Sequence, residues 1–167
     1  MKKALLVIDM QEFTVGENHA NIFMYPADII ARVNRVIDEN TDSVIIYISN
    51  FMRKNIWNKF VPFKCYEGTT QAEMVKGLHI NSEYCFSKYK GDAFSNPDLT
   101  AFIKRNDVDL IEIVGVDGGG CVSLTAISAC ELGFKVVLNT NAIGTTFVRK
   151  WDKYYKRLKK LGAEFIS

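Results

Sequence analysis

The chain alternates short apolar runs with segments whose apolar residues recur at helical spacing. Six short runs are largely apolar, and several are apolar almost throughout, which is typical of strands covered on both faces. They predict strands at 4–9, 43–49, 84–88, 110–115, 135–139 and 163–166. Helical spacing predicts helices at 27–39, 71–77, 97–105, 121–132 and 146–161.

This alternation predicts an α/β fold with three αβα layers and a mostly parallel, six-stranded, Rossmann-like sheet. The 167 residues are enough for one buried core, and no repeat or low-complexity tract divides them. We therefore expect a single domain over 1–167. Residues 50–70 form the one long irregular connection, and connections of that length are usually functional.

Composition narrows the classes of function. The balance of 21 Lys and Arg against 19 Asp and Glu, a formal charge of +2, does not favour nucleic-acid binding. No apolar run is long enough to cross a bilayer, and Asp9 interrupts the first run, so we expect no membrane association and a cytoplasmic protein. Four cysteines without a CxxC spacing favour free thiols over disulfides.

Two segments combine aromatic and basic residues. Segment 51–66 interleaves five aromatic residues with four Lys or Arg, and we expect a pocket lid or a subunit contact there rather than single-strand nucleic-acid binding. The basic C-terminal helix predicts a packed apolar stripe opposite a solvated cationic face. That stripe comprises Phe147, Trp151, Tyr154, Leu158 and Leu161.

The candidate chemistry centres on the sequence GVDGGGCV at 115–122, where three glycines precede Cys121. Asp9 ends the first predicted strand, and Cys121 follows the fourth. In doubly wound sheets these strands are neighbours, and ligands bind where the strand order reverses. We therefore expect the two side chains to meet at that point.

Cys121 begins a predicted helix, whose free N–H groups and dipole should lower the pKa of the thiol and stabilise an oxyanion. The glycines should aim backbone N–H groups and leave room for a substrate. His19 lies in a polar loop and His79 near a helix end, so neither is a strong candidate for a base. Asp9 is the favoured base, with Lys88 supplying positive charge.

Three stretches carry a resemblance to a known family. VIDMQEF at 7–13, Lys88 followed by Ala93-Phe94, and GVDGGGCVSLTA at 115–126 are similar to motifs of the isochorismatase-like cysteine hydrolases. That family includes nicotinamidases, N-carbamoylsarcosine amidases and related amidohydrolases. The resemblance spans nearly the whole chain, and three motifs in the right order on the right elements are fairly specific.

The resemblance implies a catalytic set of residues. Cys121 would be the nucleophile, Asp9 the proton acceptor and later donor, and Lys88 the electrostatic support. It also implies a cis peptide bond between Val116 and Asp117, and a homo-oligomer, dimer or tetramer, with aromatic residues of the long loop at a subunit contact. The oxyanion turn comprises Val116, Asp117, Gly120 and Cys121, and the candidate pocket residues are Gln11, Phe13, Trp57 and Phe60.

The chain also departs from the family. SNFMRKNIWNKF at 49–60 lacks the histidine and aspartate that bind metal in nicotinamidases, so we expect no metal and no cofactor. Residues 117–120 are smaller than is usual there, which should open the pocket floor. Isochorismate hydrolases lack the cysteine, so Cys121 argues against that reaction.

The sequence thus predicts a metal-independent cysteine hydrolase. It would cleave a C–N bond of a small amide or ureido substrate through a thioester-type intermediate. The alternative is a non-catalytic member of the same fold that binds a small ligand or a partner protein.

Overall fold

A computed structural model describes residues 1–54, 58 and 61–167. Its strands are β1 (Lys3–Ile8), β2 (Val44–Asn50), β3 (Cys85–Lys88), β4 (Leu110–Val116), β5 (Lys135–Gly144) and β6 (Glu164–Ile166). Its α-helices are α1 (Glu12–Val15), α2 (Ile29–Glu39), α3 (Pro97–Arg105), α4 (Cys121–Glu131) and α5 (Val148–Lys160). Short 3-10 turns lie at Thr70–Ala72 and Ala93–Ser95.

The six strands form one sheet in the order β3-β2-β1-β4-β5-β6. All five neighbouring pairs are parallel. The predicted α/β fold with a Rossmann-like sheet is therefore confirmed. Strand order reverses between β1 and β4, so the carboxyl ends of these two strands lie side by side, where a ligand crevice is expected.

Helices cover both faces of the sheet, and β1 accordingly has apolar side chains on both faces. Ala4, Leu6 and Ile8 pack in one cluster with buried residues of α3, α4 and α5. Leu5 and Val7 point to the other face and pack against α2. This alternation follows from the two-residue repeat of a strand and produces the three layers.

The predicted helix at 71–77 is wrong. Only the turn Thr70–Ala72 is helical, and the chain after it is held by the segment that follows β1. Met74 forms an antiparallel bridge with Gln11, and the N–H of Val75 donates to the carbonyl of Met10 at 3.0 Å. Backbone groups that are bonded to another segment cannot close a helical turn.

Other parts of the structure also differ from the prediction. β5 continues to Gly144 because its second half still pairs with Gly115 and Val116 of β4. The single turn α1 was not predicted. In α5, Leu158 is buried as expected, but Phe147 and Leu161 at the two ends of the predicted stripe are exposed. No described helix has the length and hydropathy needed to cross a membrane.

Candidate active site

Asp9 lies at the carboxyl end of β1 in an unusual backbone conformation, with φ +52°. Its N–H donates to the carbonyl of Ile48 at 2.9 Å, and its carbonyl accepts from the hydroxyl of Thr14 at 2.6 Å. Left-handed φ is uncommon outside glycine but occurs more often in Asp and Asn. These bonds hold the backbone so that the Asp9 side chain, only 3% exposed, points into the crevice.

Lys88 ends β3 and is almost fully buried. Its Nζ lies 2.8 Å from Oδ2 of Asp9 and 3.3 Å from Sγ of Cys121. The other carboxylate oxygen, Oδ1 of Asp9, is buried and has no hydrogen-bond partner among the described residues. The structure thus brings the three predicted residues together, and it leaves one acceptor of Asp9 free.

Cys121 is the first residue of α4, directly after a turn that begins at Asp117. The peptide bond between Val116 and Asp117 is cis. The carbonyl of Asp117 accepts from the N–H groups of Gly120 at 2.9 Å and Val122 at 3.1 Å. Among the described residues, the N–H groups of Asp117 and Cys121 have no acceptor, so they are the turn's two free donors. Gly120, predicted as part of the oxyanion turn, uses its N–H inside the turn.

The expected depression of the Cys121 pKa is wrong. Burial raises the pKa of this thiol to about 12, and the negative charge of Asp9 adds to that effect, whereas Lys88 opposes it. Burial by itself lowers the pKa of Lys88, but Asp9 and Cys121 outweigh it and the net change is upward. The two shifts favour the charged form of the lysine and the protonated form of the thiol.

The glycine run is explained differently from the prediction. A Cβ on Gly118 would lie 2.2 Å from Oγ1 of Thr145, and one on Gly119 would lie 2.2 Å from the carbonyl oxygen of Phe147. The run therefore packs against the connection between β5 and α5 and does not open the pocket floor. Only Gly120 has space around it, with its nearest neighbours 3.8 Å away.

Within the GVDGGGCV motif, Gly115 is the glycine with a left-handed backbone, at φ +109°. A Cβ there would lie 2.2 Å from the carbonyl oxygen of Ile8. Because Ile8 immediately precedes Asp9, this close approach brings the strand that leads to Cys121 against the strand that leads to the carboxylate. Its position in the motif was visible in the sequence, but its contact with Ile8 was not.

Gln11 is a brace between segments rather than an open pocket residue. Its Nε2 donates to the carbonyls of Ala72 at 2.7 Å and Asn50 at 3.2 Å, and its Oε1 accepts from the N–H of Asn50 at 2.8 Å. Both amide hydrogens are therefore used. This replaces the predicted substrate contact with a role in fixing the ends of β1 and β2.

Phe13 belongs to an aromatic cluster beside the site. Its ring is stacked on Phe63 at 5.4 Å and meets Phe23 edge-on at 5.9 Å. Cys65 is fully buried in the same cluster. Burial, followed by the charge of Asp9, raises the pKa of the Cys65 thiol to about 12, which places the cluster within electrostatic reach of the carboxylate. The other predicted pocket residues, Trp57 and Phe60, lie outside the described residues.

Among the described residues, the donors near the site do not form a set of zinc ligands. After β2, Phe51 packs in the aromatic cluster and the guanidinium of Arg53 lies 5.2 Å from the ring centre of Tyr89. Both histidines are engaged elsewhere: the ring of His79 contacts Asp38 at 2.9 Å, and that of His19 contacts the following carbonyl. In the described part of the chain, no three His, Cys, Asp or Glu side chains group as metal ligands.

Comparison with known proteins identifies the family of the chain. Residues 3–167 match the family model described as the isochorismatase domain. A curated relative from Arabidopsis thaliana, described as a probable inactive nicotinamidase, is 29% identical over 146 residues, which cover 78% of this chain and 74% of that protein.

Two solved structures give the same picture of the fold. The pyrazinamidase of Pyrococcus horikoshii in complex with zinc has a TM-score of 0.85 at 24% identity, covering all of this chain and 99% of that one. The N-carbamoylsarcosine amidase from Thermoplasma acidophilum has a TM-score of 0.82 at 20% identity, covering 99% of this chain and 96% of that one. At these identities the likeness establishes the fold.

Proposed function

Because the chain belongs to the isochorismatase domain family, we propose that it is a metal-independent cysteine hydrolase of small amide or ureido substrates. The observation that carries this proposal is the contact of Lys88 Nζ with both Asp9 and Cys121, next to the unpaired Oδ1 of Asp9. A nucleophile, a base and a fixed cation are then present in one buried site.

The first half-reaction forms a thioester. The Asp9 carboxylate takes the proton of the Cys121 thiol as Sγ attacks the substrate carbonyl carbon. The N–H groups of Asp117 and Cys121 are the donors available to the oxyanion that forms. The C–N bond then breaks, and the proton held by Asp9 goes to the leaving nitrogen, which departs as ammonia or an amine.

The second half-reaction releases the acid. Asp9, ionised again, takes a proton from a water molecule that attacks the thioester carbonyl. The C–S bond breaks, the thiolate recovers the proton from Asp9, and the carboxylic or carbamic acid leaves. Lys88 keeps its charge throughout and offsets the negative charge that moves between Asp9 and Cys121.

The raised thiol pKa suits this sequence of steps. A cysteine with a pKa near 12 is a protonated thiol at rest, so its proton must move during the attack. We assign that proton to Oδ1 of Asp9, the acceptor that has no hydrogen-bond partner among the described residues. The base is therefore essential in this mechanism and not merely an accessory.

The test is turnover on a panel of small primary amides and ureido compounds, followed as ammonia release. Cys121→Ser and Asp9→Asn should each lower kcat by roughly 10³-fold or more, as expected for residues that act as one unit. Cys130→Ser is the matched control, because this cysteine lies on the same helix α4. Intact-mass spectrometry should show an acyl adduct on the wild-type protein that is missing from the Cys121→Ser variant.

The alternative function is non-catalytic binding of a small ligand or partner. The relative from Arabidopsis thaliana, whose description reads "probable inactive", favours it. Absence of both turnover and adduct on every substrate, together with tight binding of one of them by the folded protein, would select this alternative. The homo-oligomer and the cytoplasmic location implied by the sequence remain predictions.

A further inference from the structure

The turn before Cys121 contains a second buried carboxylate, that of Asp117, which is 6% exposed. It lies outside the set of Asp9, Lys88 and Cys121. Building on the proposed function, we propose that Asp117 is a positioning residue that fixes the turn carrying the nucleophile and the two free N–H donors.

Inside the turn, Asp117 accepts from three backbone N–H groups. Its Oδ1 accepts from the N–H of Gly119 at 2.6 Å, and its carbonyl oxygen accepts from the N–H groups of Gly120 and Val122. One residue thus satisfies the N–H groups on both sides of Cys121 and leaves the N–H of Cys121 itself free. Loss of the Gly119 bond would release the middle of the turn.

Outside the turn, the same carboxylate holds the neighbouring connection. Oδ2 of Asp117 accepts from the N–H of Thr146 at 2.6 Å. The hydroxyl of Thr146 in turn accepts from the N–H of Met24 at 2.9 Å and donates to its carbonyl at 3.1 Å. The carboxylate therefore connects the turn to the loop between β5 and α5, and through it to the segment before α2.

The glycines allow this connection to be close. Gly118 and Gly119 have no space for a Cβ because Thr145 and Phe147 lie against them. The turn and the loop therefore sit in direct contact, and the carboxylate fastens them at that contact. Residues 118 and 119 are therefore glycines because the loop packs directly against them. Asp117 anchors the turn at that contact.

A carboxylate suits this position better than an amide. Each oxygen receives one backbone N–H, so two acceptors are needed on opposite sides of the group. Asparagine has nearly the same size, but its NH₂ group would face the N–H of either Gly119 or Thr146. Asp117→Asn therefore removes one bond and sets two donors against each other, with little change in volume.

Kinetics on the best substrate of the panel test this proposal. A displaced oxyanion donor costs about 10²–10³-fold in rate, so Asp117→Asn should lower kcat by about that factor and leave KM within about threefold. Glu112→Gln is the matched control, since Glu112 is a buried acid on β4 that accepts from Lys3 and Asn139. This control should keep the wild-type kcat. An Asp117→Asn variant that also keeps it would overturn the proposal.

A second measurement does not depend on turnover. Amide hydrogen exchange followed by NMR should speed up by about tenfold or more in Asp117→Asn at Gly119 or Thr146, whichever N–H faces the asparagine NH₂ group, and at neither amide in Glu112→Gln. If the wild-type protein turns over no substrate, the proposed function fails, and exchange alone decides the role of Asp117: faster exchange supports it and unchanged exchange overturns it.

Asp117→Ser covers the case in which Asp117→Asn does not fold. The serine oxygen can accept from Gly119 but is too short to reach both donors. Its exchange should therefore be faster at Thr146 than at Gly119. Equal protection of both amides in this variant would contradict the proposal.

Discussion

The ammonium group of Lys88 reaches across the end of β2 to lie 2.8 Å from the carboxylate of Asp9, with both side chains almost fully buried. Lys88 ends β3 and Asp9 directly follows β1, and these two strands are not neighbours in the sheet. β2 lies between the two strands, so the position of the ion pair depends on three adjacent strands. Because both side chains are buried, water cannot replace either partner.

Lys88→Met should destabilise the fold strongly, because it leaves Asp9 charged and buried without its cation. Removal of one partner of such a pair costs about 3–5 kcal/mol in the free energy of unfolding, measured by urea denaturation. The double variant Lys88→Met with Asp9→Asn should recover part of that loss. Lys3→Met is the control, since the Lys3–Glu112 pair is partly exposed. A Lys88→Met protein with the wild-type midpoint would refute the prediction.

Alkylation of Cys121 by iodoacetamide should depend steeply on pH. With the thiol pKa raised to about 12 by burial and by Asp9, the thiolate fraction and the rate grow about tenfold per pH unit between 7 and 10. A free peptide thiol, with a pKa of about 8.5, should level off within that range. Adduct at Cys121 is read by peptide mass spectrometry.

The same shift has a consequence for stability. Because the folded state holds the thiol proton more tightly than the unfolded state, the free energy of unfolding should fall as pH rises from about 8.5 towards 12. In the alkylation experiment, a rate of iodoacetamide labelling that levels off below pH 8 would instead indicate the lowered thiol pKa that the helix N-terminus alone predicts.

EDTA should leave turnover unchanged. The segment after β2 provides aromatic and cationic groups, and the ring of His79 is paired with Asp38 away from the site. Activity after dialysis against EDTA, with metal content measured on the same sample, checks this. Stoichiometric zinc whose removal abolishes activity would contradict the prediction that turnover needs no metal ion.

Three glycine variants should differ in stability in a fixed order. Gly115→Ala should be the most damaging, because it combines a φ of +109° with contact of its Cβ at 2.2 Å from the carbonyl oxygen of Ile8. Gly119→Ala should follow, since its Cβ meets the carbonyl oxygen of Phe147, and Gly120→Ala should fold nearly normally. Thermal melting of the three proteins gives the order, and a Gly120→Ala protein less stable than Gly115→Ala would reverse it.

Sequence patterns predicted what depends on local periodicity and strand order. The apolar runs located all six strands, and the adjacency of β1 and β4 followed from the doubly wound topology, so the meeting of Asp9 and Cys121 could be expected. Lys88 was found through its place in a family motif. These are properties of single segments and of a common topology.

Contacts between distant segments were the part that the sequence could not predict. The helical pattern at 71–77 was overridden because Val75 bonds to the chain after β1. The thiol pKa of Cys121 was misjudged because burial and Asp9 outweigh the helix N-terminus. The glycines were assigned to substrate space, whereas Gly119 faces Phe147. Each error concerns a neighbour more than twenty residues away in the chain, or a degree of burial.

The position of Lys88 on β3 makes the site dependent on one of the less secured parts of the sheet. β3 is a four-residue edge strand, and among the described strands it pairs only with β2. Local opening of such a strand costs less free energy than global unfolding. An opening of β3 alone would carry the cation away from Asp9 and Cys121 while β1 and β4 stayed paired. Local opening of β3 would therefore inactivate the site while the rest of the protein stays folded.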